Sequence, residues 1–335
     1  MRLLFPLLFL ERFVLYVIVA QNPDKITRRK VTEATMKTLI CIDGHVHALK
    51  ATRLAAKFAC TTNSEATFLF VRRYRKHTRG YNIRGKATEI FANWREELPE
   101  MRCLHEAEKV FEKARGCREN ETEIGKPHRA LVHLGGGVFE EGTIRLRSES
   151  KAHLKIREGI PHEEILRETE EGHYSLIMLG IRRAGECRWS DIEHIPLSIA
   201  EKAPCPVMVI GKEFEEGQSV LLCIGKKDPP ESTSELIRVI ATRMKSEIEV
   251  LTVLRSGDST FQFSKKNSSM IDEWSAGSLT VSQKVLTGKP ADAILEMAPD
   301  YGLIACSSSE KRKRNRLGNV TKKVLCRQCN LLVLR

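Results

Sequence analysis

Aromatic residues are sparse. Phe, Trp and Tyr make up 6% of the 335 residues, too few to argue for a platform on which successive bases stack. Catalytic groupings are lacking as well. No Ser-His-Asp, Cys-His or paired-carboxylate arrangement stands out along the chain. A zinc pair is missing its second half: Cys326-Arg327-Gln328-Cys329 is a lone CxxC, and a structural zinc needs another ligand pair at fixed spacing. No long apolar run is unbroken. Residues 3–10 and 13–20 are apolar, but Glu11 and Arg12 stand between them. A membrane span wants about twenty apolar residues without a central charge pair, and a signal peptide wants an uninterrupted core and a small-residue cleavage site.

What is present first is charge and cysteine. The net charge of +12 invites a nucleic-acid reading, but the charge is mostly scattered and no nucleic-acid fold fingerprint accompanies it. Of the ten cysteines, Cys41, Cys60, Cys205, Cys223 and Cys306 sit within or beside apolar runs, where a thiol packs as a small hydrophobe. Without a secretory context, this usage points to a reducing cytoplasm.

The strongest signal is a duplication. LICID at Leu39–Asp43 aligns with LLCIG at Leu221–Gly225, placing Cys41 opposite Cys223. Twenty-three residues after each cysteine, a second apolar run opens on Ser-Glu, at Ser64 and Ser246. GIPHEEIL at Gly159–Leu166 matches GKPADAIL at Gly288–Leu295, and SLIMLG at Ser175–Gly180 matches GLIACS at Gly302–Ser307. The copies close on PVMVI (Pro206–Ile210) and LLVLR (Leu331–Arg335). A period this long means two domains of one kind, not a solenoid.

Each copy alternates short continuous apolar runs with segments of three- and four-residue apolar spacing. Leu236, Val239 and Ile240 show that spacing, after candidate N-caps Ser232 and Ser234. Continuous runs argue for parallel strands buried on both faces. The expected class is α/β: two tandem doubly wound domains, each a five-stranded parallel sheet with helices on both faces. Ligands of such sheets bind outside the carboxyl ends of the strands. The loops after Asp43, Val71, Gly180 and their counterparts are therefore the candidate sites.

The expected domains are 36–212 and 218–335. The offset between copies is 182 residues at the first strand and 129 at the Gly-x-Pro, so the first copy carries about 53 extra residues within 73–150. Ala87–Ala114 reads as mostly helical, Cys117–Pro127 as a loop, and Arg129–Leu134 with Thr143–Arg147 as a hairpin around Gly135-Gly136-Gly137. Residues 1–35 read as an extension ahead of a start at Met36; the alternative is a membrane anchor.

The motifs resemble those of the universal stress proteins. CIDG at Cys41–Gly44, Gly159-Ile160-Pro161, IMLG at Ile177–Gly180 and APCPVMVI at Ala203–Ile210 follow that family's order in the first copy, with Gly288-Lys289-Pro290 in the second. The resemblance covers nearly all of the chain after Met36. It implies an adenine-nucleotide alpha-hydrolase-like fold, a regulatory and non-catalytic role in stress response, and pairing through the closing strands as an internal pseudo-dimer. A homo-oligomer or a protein partner remains open; no specific nucleic acid or membrane is expected.

The resemblance also places a nucleotide site. Asp43 would lie beside the nucleotide; its other reading is a helix N-cap or turn acid. Gly180 matches the first glycine of the family's phosphate loop. Arg183 replaces the second, and Glu193-His194 fall at the closing Gly-Ser. The second copy has Gly225 in place of the aspartate, Ser307 and Glu310 at the first two glycines, and then Gly318-Asn319. Between them runs Lys311–Arg316, read as a solvated basic loop or an anion holder. Weak or no binding of ATP or another adenine nucleotide is expected, favouring the first copy, with Asp43 and the Val71 loop at the nucleoside end. One alternative is a pseudo-dimeric scaffold that binds a protein partner without nucleotide. The least favoured is a metal-dependent hydrolase on His45 and His47, in the Asp-Gly-His-x-His pattern of barrel amidohydrolases; the duplicated strands contradict a barrel.

Overall fold

The computed structural model describes residues 36–59, 65–73, 98–114, 129–135, 137–143, 152–181, 195–225, 231–254, 265–277, 279–307, 317–327 and 330–334. In the first half β1 (Lys37–Ile42), α1 (Val46–Ala59), β2 (Glu65–Arg72) and α2 (Pro99–Ala114) lead to a hairpin, β3 (Arg129–Gly135) and β4 (Val138–Thr143). β5 (Ala152–Glu158), α3 (Pro161–Gly172), β6 (Leu176–Gly180), α4 (Ile195–Lys202) and β7 (Val207–Ile210) complete it. The second half runs β8 (Val220–Cys223), α5 (Glu231–Met244), β9 (Ile248–Leu254), α6 (Lys265–Ala276) and β10 (Val281–Thr287). It closes with α7 (Pro290–Met297), β11 (Leu303–Ser307), α8 (Asn319–Leu325) and β12 (Leu331–Leu334).

The apolar runs form strands buried on both faces, as their composition demands. Every residue of β7 and β12 is buried, β6, β8 and β11 are buried but for one position each, and β1 but for two. Each half has the doubly wound order, third strand, second, first, fourth, fifth, with parallel neighbours. Helices α1, α2, α5 and α6 contribute to the core on one face, through residues such as Ala51, Leu104, Ile240 and Trp274. Helices α3, α4, α7 and α8 cover the other, through Ile165, Ile199, Ile294 and Val324. Both Gly-x-Pro motifs start helices. Pro161 and Pro290 occupy the first turn, where a fixed φ helps and a missing N–H costs nothing.

The closing strands pair as expected. β7 and β12 run antiparallel, Leu331 with Val209 and Val333 with Val207, so the two five-stranded parallel sheets are joined into one twelve-stranded sheet. Met36–Arg335 is accordingly one compact unit. Two other expectations are corrected. The hairpin's second strand is Val138–Thr143, entered straight after Gly137, at φ 79°; of the expected Thr143–Arg147, residues 144–147 lie outside the described residues. Helix α5 starts at Glu231, so Ser232 and Ser234 lie inside its first turns and not at the position before the helix.

The insertion extends the sheet. β4 pairs antiparallel with β5, and β3 with β4, adding two strands beyond the first half's third strand. α2 lays Met101, Leu104 and Phe111 on the core, where Phe111 meets Phe68 edge-on at 5.3 Å between ring centres. Residues 74–97 and 115–128 lie outside the described residues, as do residues 1–35. Among the described residues, no helix is long and apolar enough to cross a membrane.

Candidate functional site

In a doubly wound sheet the first strand lies between the second and fourth, and the crevice opens where the chain turns to opposite faces on either side. In the first half these are β1, β2 and β6. The last ladder pair, Ile42 with Phe70, leaves Asp43 level with Val71, and Cys41 opposite Leu179 leaves Ile42 level with Gly180. Asp43, Val71 and Gly180 thus converge on one rim.

Their local roles are specific. Asp43 is exposed, and its Oδ1 accepts the backbone N–H of His45 at 2.9 Å. That is an Asx turn, helped by Gly44 at φ 80°. The turn reading of Asp43 is therefore the one its hydrogen bond satisfies. Gly180 has a packing reason to lack a side chain. A Cβ there would stand 2.2 Å from the His47 carbonyl oxygen and 2.6 Å from the Ala48 nitrogen. The first turn of α1 already takes the close backbone approach a glycine permits. Val71 is half-buried against the core on the α3 and α4 face. Beyond it, Arg72 pairs with Glu158 and its carbonyl accepts the Gly159 N–H at 3.0 Å, closing the rim between β2 and β5.

Below the rim sits Cys41. Burial, with the charges of Asp43 and Glu168, pushes its thiol well above the usual range. It is protonated at neutral pH and offers no thiolate nucleophile.

The second-half residues do not join this site. The strands of the two halves run in opposite directions across the β7–β12 joint, so their carboxyl ends lie on opposite rims. Gly318 and Asn319 therefore belong to a separate cleft from Asp43, Val71 and Gly180. Gly318 is the N-cap of α8, seven residues long, with no side-chain cap bond. Thr321 Oγ1 donates to the Ser307 carbonyl at 3.4 Å, tying α8 to the end of β11. Gly225 holds the place of Asp43, and a Cβ there would meet nothing within 4 Å. Space does not forbid an acid at that position. Arg183, Glu193, His194, Glu310 and Lys311–Arg316 lie outside the described residues.

The metal reading gains no support. His45 is exposed and His47 is half-buried. Among the described residues no three His, Cys, Asp or Glu side chains gather as a metal set. Among the described residues, Cys41, Cys103 and Cys306 are free thiols.

Sequence reasoning missed three features. Asn330 is fully buried, and its side chain joins the halves. Its Oδ1 accepts the Gly211 and Lys212 N–H groups, each at 3.0 Å, and its Nδ2 donates to the Gly302 carbonyl at 2.8 Å. A buried ionic network lies under α3. Lys155 and Arg157 of β5 meet Glu168 at 3.1 and 2.6 Å, and Tyr174 donates to Glu168 at 2.7 Å. An open groove of about 480 Å³, lined by residues including Lys212, Asp292, Glu296 and Arg327, lies at the amino ends of the second half's strands. None of the expected site residues lines it. A sharper signal existed only for the network, as two cations at alternate positions of one strand.

No protein-family model matches the chain, and no curated protein matches it in sequence. Solved structures do match in shape. A universal stress protein from Archaeoglobus fulgidus superposes with a TM-score of 0.58 at 17% identity, over 89% of this chain and 98% of that one. A functionally unknown protein from Pseudomonas aeruginosa superposes at 0.52 and 15% identity, over 90% and 92%. This chain has the fold of the universal stress proteins, two copies in tandem.

Proposed function

We propose that the chain is a regulatory module of the universal stress protein kind, cytoplasmic, without catalytic machinery and with a degenerate nucleotide site. The observation that carries this reading is the occupied state of the first cleft. Asp43 spends an oxygen on the His45 amide, and the approach at Gly180 is filled by α1 itself. The protein uses for its own turn and packing two groups that a nucleotide would need. In the second half the acid is replaced by Gly225, and the helix after β11 has only two turns. Phosphate capture rests on converging backbone N–H groups at glycines and a helix start, and the groups for it are split between two opposite rims. Any adenine nucleotide would bind weakly and at the first half, with Asp43 and the end of β2 toward the nucleoside.

Titration calorimetry with ATP, AMP and adenosine, on wild type and Asp43→Ala, tests this. The expected result is weak heat for all three, lost in Asp43→Ala. Tight ATP binding that survives Asp43→Ala but disappears when Lys311–Arg314 are neutralised would move the site to the second half. Absence of heat with every ligand would favour a scaffold that binds a protein partner alone.

A further inference from the structure

Among the described residues the second half ends its sheet on an open strand. β10 is the last of the twelve and, among those residues, pairs on one side only, with β9. The Ile248 N–H donates to the Thr280 carbonyl at 2.9 Å, and the Gly288 N–H to the Leu254 carbonyl at 2.8 Å. In a parallel ladder a residue's N–H and C=O point to the same side, alternating along the strand. Thr280, Ser282, Lys284, Leu286 and Gly288 therefore turn to β9. Val281, Gln283, Val285 and Thr287 turn their N–H and C=O groups outward.

The first half shows what such an edge accepts. β5 is the counterpart of β10, 129 residues earlier, so Ile156 corresponds to Val285 and Lys155 to Lys284. There β4 covers the edge antiparallel, and the Glu158 N–H donates to the Gly137 carbonyl at 3.0 Å. Phe139 stands opposite Ile156 and Glu140 opposite Lys155, whose Nζ lies 3.6 Å from it. Under that cover Ile156 is 3% exposed, whereas Val285 is 47% exposed. Lys284 reaches Glu249 on its inner side at 3.8 Å and, among the described residues, meets no acid on its outer side. The bland reading is that Lys284 simply blunts an edge against self-pairing. That same charge selects a partner strand that carries an acid, and it disfavours a second β10, whose own lysine would be brought close.

We infer that the outer edge of β10 docks an extended acidic segment of a partner protein, added antiparallel, with an apolar or aromatic residue opposite Val285 followed by a carboxylate opposite Lys284. Backbone bonds to Val281, Gln283, Val285 and Thr287 supply the affinity, and the apolar–acid pair sets the register.

The probe is a fluorescein-labelled peptide with the sequence of Gly137–Thr143, the chain's own covering strand, titrated into the full chain by anisotropy. Saturable binding is expected. Val285→Pro removes an outward N–H while leaving the β9 ladder intact, and should weaken binding at least tenfold. Val285→Glu keeps the backbone and repels the acidic peptide, so it should weaken binding comparably should the proline variant fail to fold. A peptide with both glutamates changed to lysine should not bind. Lack of saturable binding overturns the inference. So does binding unchanged in both variants, which would place the peptide elsewhere, for instance in exchange at β5. A concentration-dependent dimer of the full chain, abolished by Val285→Pro, would instead assign the edge to a second copy.

Discussion

Replacing Asn330 with alanine should loosen the joint between the halves more than any other single change at that joint. The side chain is fully buried and serves three backbone groups at once: the Gly211 and Lys212 N–H groups just past β7, and the Gly302 carbonyl just before β11. Alanine leaves all three without their partner. A buried polar group stripped of its hydrogen bond costs about 1–3 kcal/mol. Gly211 is buried while Lys212 is half-buried and can recover water, which places the sum at about 3–5 kcal/mol. That is a large share of the roughly 5–15 kcal/mol that holds a domain folded. Urea unfolding followed by circular dichroism reads the loss as a lower midpoint. Amide exchange reads its place, because the β7–β12 ladder should open before the inner strands of either half. A loss below about 1 kcal/mol, or exchange that rises evenly over the chain, would refute the idea that Asn330 bridges the halves.

Two further changes test the same structure elsewhere. Gly302→Ala puts a Cβ 2.4 Å from the ring carbons of Phe214, which the segment between the halves buries in the core. It should cost about 1–3 kcal/mol, and much of that loss should return when Phe214→Leu is added; no recovery would mean the ring is not the obstacle. Glu168 concerns pH. Burial raises its carboxyl, but the Tyr174 hydroxyl, Lys155 and Arg157 outweigh that and hold it below the usual carboxylate range. A depressed folded value means stability that is present above the unfolded value, about 4.3, and lost as pH falls through the folded one. Urea midpoints between pH 7 and pH 3 should therefore fall less steeply in Glu168→Gln than in wild type, from a lower starting point at pH 7. Equal slopes would show that the network does not perturb this group.

Much of the fold was legible in the chain because its determinants are local. An uninterrupted run such as PVMVI or LLVLR can be satisfied only between two covering layers, so the strands, their parallel class and the tandem duplication follow from the letters. A proline in the first turn starts α3 and α7 in both copies for reasons internal to a few residues. The convergence of Asp43, Val71 and Gly180 was legible too, since strand order puts those ends together. The turn duty of Asp43 was open to local reading, since its bond to His45 spans two residues. The duty of Gly180 was not, because the fit of α1 against it depends on how a helix settles on a strand more than a hundred residues away.

The sequence by itself thus determined the elements, their doubly wound order and the existence of two copies, since periodicity and turn chemistry act within short stretches. The resemblance implied that the closing strands pair, but tertiary structure alone decided that β7 and β12 run antiparallel within a single sheet, which sends the two clefts to opposite rims. It alone decided that Asn330 stitches the halves, and that a hairpin covers the edge of β5 while no described strand covers β10. Each of these is a pairing between groups far apart along the chain. Edges and buried polar atoms are satisfied by whatever partner the packed fold brings near, and local pattern carries no record of which partner that is.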